Sequence, residues 1–359
     1  MQDKKITNNR SGSKTVSKYK SLKTNVKKTT DSKSDKTDKI SDINDIDKIL
    51  SLANGSVDIN SKKNVSSETI VSEYNETIKF LKDNKISIST ITLDCKLHTL
   101  VDANKFAEHV VLSEDGVMSV KYGNKNDVAT NRTIITTKAK KKPSERNFFN
   151  QVTILMKPTN KPENGYINIK VFLNGSLQMT GCKDMEDFTN VTRTLVNILK
   201  EGYYEKNSKG KTVKKMYISS PEKIGIYDVK IRMINSNFRL DYKVDRKMLF
   251  TLLSRNHNET TRDKEIGYVE CKYRPTNGHS CVNIKFKYDE RSKPSIFVFQ
   301  TGAVIITGAK NLKQIIHAYH FIQKILNYYF DSIRIVELDI NKVNKVIDNY
   351  FNNRLTVQV

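Results

Sequence analysis

Residue types that perform chemistry are sparse in this sequence, and their spacing matches no common reactive site. His257, Cys271, His279 and Cys281 are the one group that suggests a metal centre, because imidazole and thiolate are the usual zinc ligands. Their separations match no zinc module, in which the ligands come in closely spaced pairs. We therefore predict no metal and no other cofactor.

A phosphate-binding loop is the second chemical possibility. Residues 210–212 (Gly-Lys-Thr) resemble the end of such a loop, but the earlier glycine that it requires would be position 205, which is Glu205. His317 and His320 lie on an amphipathic stretch and are interpreted as surface or packing residues. No nucleophile, base and orienting group can be identified together, so the sequence predicts a protein that is not an enzyme.

Attraction to phosphate is the chemistry that the composition favours. The 359-residue chain carries a net charge of +23, and residues 1–40 hold twelve Lys or Arg against four Asp, which leaves +15 on the remainder. A folded part this basic indicates nucleic acid or another anionic partner. An AT-rich coding genome also enriches Lys, Asn and Ile and is the competing explanation. The run Lys138–Lys142 fits a nuclear-import signal, a phosphate-binding arm or a solvated loop.

The cysteines and the hydropathy indicate an intracellular protein. The four cysteines contain no CxxC pair and lie in apolar segments, which is typical of reduced thiols. No apolar run reaches the roughly 18 residues that a membrane-spanning helix needs, and the N-terminus has no apolar signal-peptide core. We predict a soluble protein that is neither secreted nor bound to a membrane.

Two segments of the chain are near copies of one another. Residues 172–183 and 299–310 share the pattern Phe-x-x-Gly-x4-Thr-Gly-x-Lys at a constant displacement of 127 positions, and a helix-like stretch follows each. A duplicated unit of this length predicts a two-fold pseudosymmetric object, which commonly binds a partner of similar symmetry.

Hydrophobic periodicity predicts the elements that position these hairpins. In the first copy we predict helices over 67–82, 102–111 and 184–199, and strands over 86–93, 148–156, 166–172 and 176–180. In the second copy we predict strands over 227–234, 282–288, 295–299 and 304–307, and helices over 246–254 and 311–329. Asp184 is the predicted N-cap of one long helix, and Asn311 with Gln314 forms a predicted capping box for the other.

Alternation along these strands predicts two unlike faces. Phe172 and Thr180 share one face, opposite Val171, Leu177 and Met179. In the second copy the matching face carries Phe297, Phe299, Ile305 and Thr307. An exposed face with aromatic and aliphatic groups is a liability unless a ligand covers it, so this face is the predicted binding surface.

Together these features resemble a divergent TATA-box-binding protein over about residues 86–330. The resemblance rests on residues 89–97 (Ser-Thr-Ile-Thr-Leu-Asp-Cys-Lys-Leu), the paired hairpins and the helices that follow them. It implies an α+β fold in which two repeats form a saddle, with a curved antiparallel sheet and helices on its convex face. It also implies a transcription initiation factor that binds and bends the minor groove of AT-rich promoter DNA, with RNA polymerase and general transcription factors as partners.

The resemblance divides the chain into segments and suggests a source. Residues 1–63 form a predicted disordered basic arm, 64–204 the first repeat with a polar insertion at about 123–146, 205–219 a connector, 220–330 the second repeat and 331–359 a C-terminal extension. Residues 43–50 could form a short partner-binding helix or only nascent structure. Large DNA viruses encode divergent relatives, so the expected location is the nucleus or a cytoplasmic viral factory.

Roles follow from the resemblance by position. The implied DNA-binding residues are kinking phenylalanines, groove-contacting threonines, groove-lining aliphatic residues and phosphate-contacting lysines. The kinking phenylalanines are Phe149, Phe172 and Phe299, and the groove-contacting threonines are Thr180 and Thr307. The groove-lining aliphatic residues are Ile88 and Ile305, and the phosphate-contacting lysines are Lys183 and Lys310. Asn235 and Phe297 lie beside them. Taken singly, each phenylalanine is equally typical of a core and each lysine of a solvated surface, and it is the matched positions that favour function.

Several positions depart from the family pattern. The asparagine that each repeat of the family places at the pseudo-dyad falls on Ile86 and Met233, and Asn235 takes the place of a groove-lining valine. The second kinking phenylalanine of the second repeat aligns near Gly278 and His279. DNA preference is therefore expected to differ from that of the cellular protein.

Two further departures concern partners and polarity. The acidic residues that meet transcription factor IIB in the family are Thr276 and Asn277 here, and Lys170 with Gln178 makes the first binding face more polar. Two rival functions remain. One is an interaction scaffold that kept the fold and weakened its DNA specificity. The other is the DNA-binding platform of a repair-type enzyme, for which the chain after Phe330 is too short to supply a catalytic segment.

Overall fold

A computed structural model describes residues 50–51, 53–54, 67–123, 129–136, 149–276, 280–336 and 344–350. All of them belong to one compact unit, residues 39–359. The Lys138–Lys142 run, Asn277, Gly278 and His279 lie outside the described residues. Among the described helices, none has the length and hydropathy to cross a bilayer.

Each half of the chain follows the order strand, helix, several strands and long helix. The helices are α1 (Ser67–Asp83), α2 (Ala103–His109), α3 (Met185–Glu201), α4 (Arg246–Arg255), α5 (Leu312–Tyr328) and α6 (Phe330–Ile333), with a 3₁₀ turn at Pro162–Asn164. The first strands are β1 (Ser87–Lys96), β2 (Val117–Tyr122), β3 (Thr130–Thr133), β4 (Gln151–Met156), β5 (Ile167–Phe172), β6 (Ser176–Cys182), β7 (Tyr203–Lys206) and β8 (Thr212–Lys215). The later strands are β9 (Tyr227–Arg239), β10 (Lys243–Val244), β11 (Cys271–Tyr273), β12 (Val282–Lys285), β13 (Ser295–Val298), β14 (Ala303–Ala309) and β15 (Arg334–Ile335).

An 11-stranded antiparallel sheet runs through both copies in the order β11-β12-β13-β14-β9-β1-β6-β5-β4-β2-β3. From the central β1–β9 pair outwards, the two halves follow the same sequence of corresponding strands. β6, β5, β4 and β2 on one side match β14, β13, β12 and β11 on the other, and β3 is an extra edge strand. The fold is thus α+β, with one large antiparallel sheet.

The central strand pair relates the two halves residue by residue. Ile91 lies opposite Ile234, and a shift of 143 positions carries each β1 residue to its β9 counterpart while preserving the pairing. A bulge at Ser89 in β1 and a bulge at Arg232 in β9 are related by the same shift, and a further register shift lies between Asp94 and Lys96 near the end of the pair. Because a bulge adds an unpaired residue and reverses the alternation of faces, it decides which side chains point away from the helices.

Both long helices begin with the caps that the sequence predicts. The Asp184 carboxylate accepts the amide of Asp187 at 2.9 Å, and the Asn311 side chain accepts the amide of Gln314 at 2.9 Å. The backbone amide just before each cap donates to the side chain of Asp187 or Gln314 in turn. These caps satisfy amides that a helix start leaves without partners.

One hydrophobic core lies between the helices and one face of the sheet. It contains alternate residues of every long strand together with the inward stripes of the helices. Examples are Leu93, Met179 and Ile306 from the sheet, and Phe188 and Ile322 from the helices. The burial of this face fixes the register, because a slip by one residue would expose the whole apolar set.

The segment before α1 corrects the predicted arm. Residues 50–51 and 53–54 are helical, and Ser51, Ala53 and Asn54 are buried. The Thr77 hydroxyl of α1 donates to the Asn54 side-chain oxygen at 2.7 Å. The prediction of a disordered arm over 1–63 is therefore wrong at this segment, since a polar pair anchors it to α1. Residues 1–49 and 55–63 lie outside the described part.

Three other predicted boundaries are shifted by pairing that composition does not reveal. Within the polar insertion, β3 pairs with β2, and the Arg132 guanidinium donates to carbonyl oxygens at the end of α2. The predicted connector contains the β7–β8 hairpin. Beyond residue 330, α6 and β15 complete the second half, because β15 pairs with β10. Of the remaining C-terminal extension, residues 344–350 are helical.

Candidate nucleic-acid interface

The sheet face that lies opposite the helices is the candidate interface, and we call it the open face. Along β5 the buried residues Ile167, Ile169 and Val171 alternate with half-buried Asn168, Lys170 and Phe172. The same alternation holds in the hairpin of the second half, where Ile296, Val298, Val304 and Ile306 are fully buried while the residues between them are accessible. The open face therefore extends over both halves of the sheet.

Most of the predicted DNA-binding residues lie on the open face. Phe172 and Thr180 lie there in the first half, and Phe297, Ile305 and Thr307 lie there in the second. Phe299 directly follows β13 and is half-buried, as is its counterpart Phe172. Phe149 precedes β4, and its side chain is 47 % exposed.

Tight turns position the two matched phenylalanines. The amide of Gly175 donates to the Phe172 carbonyl at 2.9 Å, and the amide of Gly302 donates to the Phe299 carbonyl at 3.1 Å. Both glycines have positive φ, and a Cβ at either would lie within 2.4 Å of a backbone carbonyl oxygen. Only glycine fits such a turn, so the repeated glycine of the sequence pattern sets where each phenylalanine lies.

Ile88 does not join the other predicted residues. It lies opposite the buried Ser236 and packs against the core on the helix side, because the bulge at Ser89 intervenes before Thr90. The groove-lining role that the resemblance implied for Ile88 is thus corrected, because the bulge leaves its side chain on the helix side of the sheet. From Thr90 onwards, alternate residues of β1 point to the open face, namely Thr90, Thr92, Asp94 and Lys96.

The centre of the open face is formed by two strand pairs, Thr90 with Asn235 and Thr92 with Met233. The Thr307 hydroxyl donates to the Asn235 side-chain oxygen at 2.5 Å and contacts the Met233 sulfur at 3.6 Å. The amide nitrogen of Asn235 is engaged by none of the described residues. A hydrogen-bond donor is thus available close to the pseudo-dyad.

The pairing also corrects the predicted match between Ile86 and Met233. The shift of 143 makes Met233 the counterpart of Thr90, and it makes Val229 the counterpart of Ile86. Ile86 and Val229 are both buried in the core. The two positions assigned to the pseudo-dyad are therefore not equivalent, and Ile86 does not reach the open face.

The two matched lysines lie in different surroundings. The Lys183 ammonium donates to the backbone carbonyl of Ser89 at the bulge. Lys310 is exposed, and only its backbone amide takes part in a described hydrogen bond, with Gln314. Lys310 is thus better placed to contact a phosphate than Lys183.

Positive charge predominates on the open face. Its cationic residues are Lys96, Lys121, Lys170, Lys230, Arg232, Arg239, Lys272 and Lys285. The strands of the large sheet hold two acidic residues, Asp94 and Asp228, and each pairs with a cation. A hydrogen bond from Lys96 holds the pKa of the Asp228 carboxyl below its usual value. An anionic ligand would therefore meet little repulsion.

A charged contact between the halves was missed by the sequence analysis. The Arg232 guanidinium in β9 pairs with the Asp94 carboxylate in β1 at 2.5 Å. Asp94 lies beside Gln178, and Gln178 beside Lys170. No sequence signal marks Arg232, because its direction depends on the bulge that it forms.

The second half differs from the first at its outer end. Val152 in β4 corresponds to Val282 in β12, since each lies opposite the matching valine of the next strand. The shift of 130 positions that relates Val152 to Val282 also relates Phe149 to His279, the position given by the sequence alignment. His279 lies outside the described residues.

Several of the described histidine and cysteine side chains make structural contacts or are buried. His257 Nε2 contacts the Val269 carbonyl at 2.9 Å. Burial raises the pKa of the Cys95 and Cys182 thiols, which opposes formation of a reactive thiolate. In the ranges that the structure describes, no three His, Cys, Asp or Glu side chains are grouped to hold a metal ion.

Comparison with known proteins gives a close viral relative. The chain is 63% identical over 284 residues to a TATA-box-binding protein-like protein of Acanthamoeba polyphaga mimivirus. The aligned region covers 79% of this chain and 76% of the relative. Among solved structures, TBP of Methanococcus jannaschii matches with a TM-score of 0.39 and 14% identity, over 67% of this chain and 98% of that chain. No family model matches the chain.

Proposed function

The chain belongs to the family of the mimivirus TATA-box-binding protein-like protein, and on that premise we propose that it is a DNA-binding transcription initiation factor. As a member of this family it is not an enzyme. We propose further that it binds AT-rich promoter DNA in the minor groove and bends it, and that the open face is the contact surface.

The observation that carries the proposal is the pair of accessible phenylalanines at one matched position in each half. Phe172 and Phe299 are held by the glycine turns at corresponding ends of the sheet, and neither belongs to the core. Apolar side chains that enter between base pairs unstack them and kink the duplex, at a cost that is lowest for flexible steps such as TA. Two wedges at matched positions suit a duplex, which is itself two-fold symmetric.

Preference for A·T pairs follows from the apolar groups of the second half. Phe297 and Ile305 lie side by side on neighbouring strands and offer no hydrogen-bond acceptor. The minor-groove edge of a G·C pair carries an amino donor that A·T pairs lack. Covering that donor with apolar side chains would leave it unsatisfied, which costs about 1–3 kcal/mol.

Phosphate attraction accounts for affinity. Open-face cations such as Lys230 and Lys285, together with Lys310, would neutralise backbone phosphates and release counterions. Such contacts set the position of the protein on the duplex but carry no sequence information. Specificity must then come from the groove contacts and from the deformability of the DNA.

The matching order of strands supports a two-repeat architecture. We propose that the halves are duplicated repeats that form a saddle, with the sheet curved around the duplex and the helices on its convex face. The partners that we propose are RNA polymerase and general transcription factors, in the nucleus or a viral factory. A viral origin is supported by the mimivirus relative.

The test is binding of the full chain to AT-rich, GC-rich and single-stranded probes across a salt series, with bending followed by energy transfer between dyes at the duplex ends. We expect tightest binding to the AT-rich duplex, a bend on that duplex, and a preference that persists as salt rises. Equal affinity for all three probes, vanishing together at high salt, would reduce the function to charge attraction.

A further inference from the structure

A continuous row of polar side chains crosses the open face of the first half. The Lys170 ammonium donates to Gln178 Oε1 at 3.2 Å, and Gln178 Nε2 lies 3.5 Å from Asp94 Oδ1. The Arg232 guanidinium, which comes from the other half, pairs with Asp94 Oδ2 at 2.5 Å. We call Lys170, Gln178, Asp94 and Arg232 the polar row.

The corresponding row of the second half has a different chemistry. A shift of 127 positions carries Lys170 to Phe297 and Gln178 to Ile305. The shift of 143 positions between β1 and β9 relates Asp94 to Asn237 and Arg232 to Ser89. The strand pairing gives the same correspondence. In the first half Gln178 lies between Lys170 and Asp94. In the second half Ile305 lies between Phe297 and Asn237. At equivalent positions, the first half carries three charged side chains and an amide, whereas the second half carries two apolar side chains, Phe297 and Ile305, beside the uncharged Asn237 and Ser89.

The polar row borders a cavity beside one of the proposed wedges. The cavity has a volume of about 220 Å³, and its lining includes Phe172, Gln178, Asp94, Lys230 and Arg232. The Asp94 side chain is 25% exposed and that of Arg232 59%, so both are accessible from the open face. A group that projects from the floor of the groove next to the Phe172 step would meet this cavity.

The chemistry of the polar row matches the guanine amino group. A G·C pair adds one donor, N2–H₂, to the acceptors that line the minor groove. A carboxylate only accepts hydrogen bonds and has more lone pairs than Arg232 and Gln178 occupy at Asp94. Arg232, Lys170 and Lys230 offset the charge of Asp94, so a carboxylate is tolerated close to the phosphates. Phe297 and Ile305 offer the same amino group nothing.

Resting on the proposed function, we propose that Asp94 and Gln178 make one half of the DNA site accept a guanine through its 2-amino group, while the other half rejects it. Arg232 acts as a positioning residue that holds Asp94 at the face. The site would therefore be directional: A·T pairs lie under Phe297 and Ile305, and a G·C pair is accommodated under the polar row. This difference orients a pseudosymmetric protein on its promoter.

The test isolates the amino group by base substitution. Short duplexes carry an alternating T·A tract in which each position in turn is G·C or inosine·C. Inosine pairs with cytosine but lacks the 2-amino group. For the full chain we expect a duplex with one G·C pair to bind about fivefold or more tighter than the same duplex with inosine·C, because the alternating tract reads alike in both directions and the protein orients with the polar row over that pair. A second G·C pair, placed symmetrically in the other half of the tract, should remove this advantage.

Variants that exchange the two rows supply the controls. Asp94→Asn with Gln178→Ile installs the residues of the second half, and it should remove the preference for G·C over inosine·C, measured as a ratio within the variant so that any change in binding to the uninterrupted T·A tract cancels. Asn237→Asp with Ile305→Gln should create a second G·C-tolerant position in the opposite half. Thermal unfolding of each variant establishes that it is folded. If a variant does not fold, the comparison of G·C with inosine·C in the parent chain decides.

Two results overturn the inference and are distinguishable. If the parent binds and bends the T·A tract but never favours G·C over inosine·C, the polar row does not recognise guanine and the proposed function stands. If the parent shows no preference for the T·A tract over a GC-rich duplex, the proposed function fails and the inference fails with it.

Discussion

Phe172 and Phe299 are large apolar side chains that the fold leaves outside its core. A half-buried phenylalanine contributes less to stability than a core one, because part of its apolar surface remains in water. Their retention at matched positions, each held by a glycine turn, is explained if the exposed ring contacts a ligand. Bending and stability should then separate when the rings are removed.

We expect the double variant Phe172→Ala with Phe299→Ala to lose most of the DNA bend while the free energy of unfolding falls by only about 1 kcal/mol per residue. Energy transfer across a dye-labelled AT-rich duplex measures the bend, and chemical denaturation measures the stability. The matched control is Tyr204→Ala, an aromatic that is 69% exposed on the separate β7–β8 hairpin. A double variant that bends the duplex like its parent would eliminate wedging by these residues.

A β-bulge accounts for one residue that sequence reasoning misplaced and one that it missed. Ile88 lies next to the bulge at Ser89, and Arg232 forms the bulge in β9. A bulge is set by the pairing of two strands that are distant in sequence, so the period-two pattern of one strand does not reveal it. Side chains of the outer hairpins, where pairing is regular, were assigned to the observed faces from alternation alone.

At the scale of elements, local signals were sufficient for the hairpins and the long helices. The caps at Asp184 and Asn311 depend on contacts within four residues, and the turn glycines depend on a backbone conformation. β2 and β11, by contrast, were not predicted. They are short strands whose place in the sheet is determined by β4 and β12 rather than by their own pattern.

Gly175, in the turn of the β5–β6 hairpin, should be essential for the stability of that hairpin. Gly175 has φ +77°, and a Cβ there would lie 2.0 Å from the Thr99 carbonyl oxygen, so Gly175→Ala must move the backbone. We expect a loss of about 2 kcal/mol or more in the free energy of unfolding, combining conformational strain with the clash.

Gly210 is the matched control for that substitution. Its φ is +73°, but a Cβ there would meet no atom within 4 Å. Gly210→Ala should therefore cost only the strain of a left-handed residue, about 1 kcal/mol. Chemical denaturation of both variants measures the difference. Equal losses would show that close approach to Thr99 does not constrain the hairpin.

On the scale of the whole molecule, positive charge is divided between residues 1–40 and the open face of the sheet. Residues 1–40 carry a net +8, and the open face adds its own cations beside the phenylalanines and threonines proposed to contact the groove. Attraction to phosphate is independent of sequence and falls steeply with salt, whereas contacts in the groove are not screened in the same way. The two parts should therefore make separable contributions to binding.

Removal of residues 1–40 tests this separation and leaves intact the buried residues Ser51, Ala53 and Asn54. We expect affinity for every duplex to fall by a similar factor and the dependence of binding on salt to become less steep, because fewer counterions are released. A full-length control in which the twelve Lys and Arg of this segment become Gln should behave like the truncation. The preference for AT-rich duplexes should survive in both, since the open face is unchanged. If truncation instead abolished that preference while GC-rich binding persisted, the arm would be the sequence reader and the sheet its scaffold.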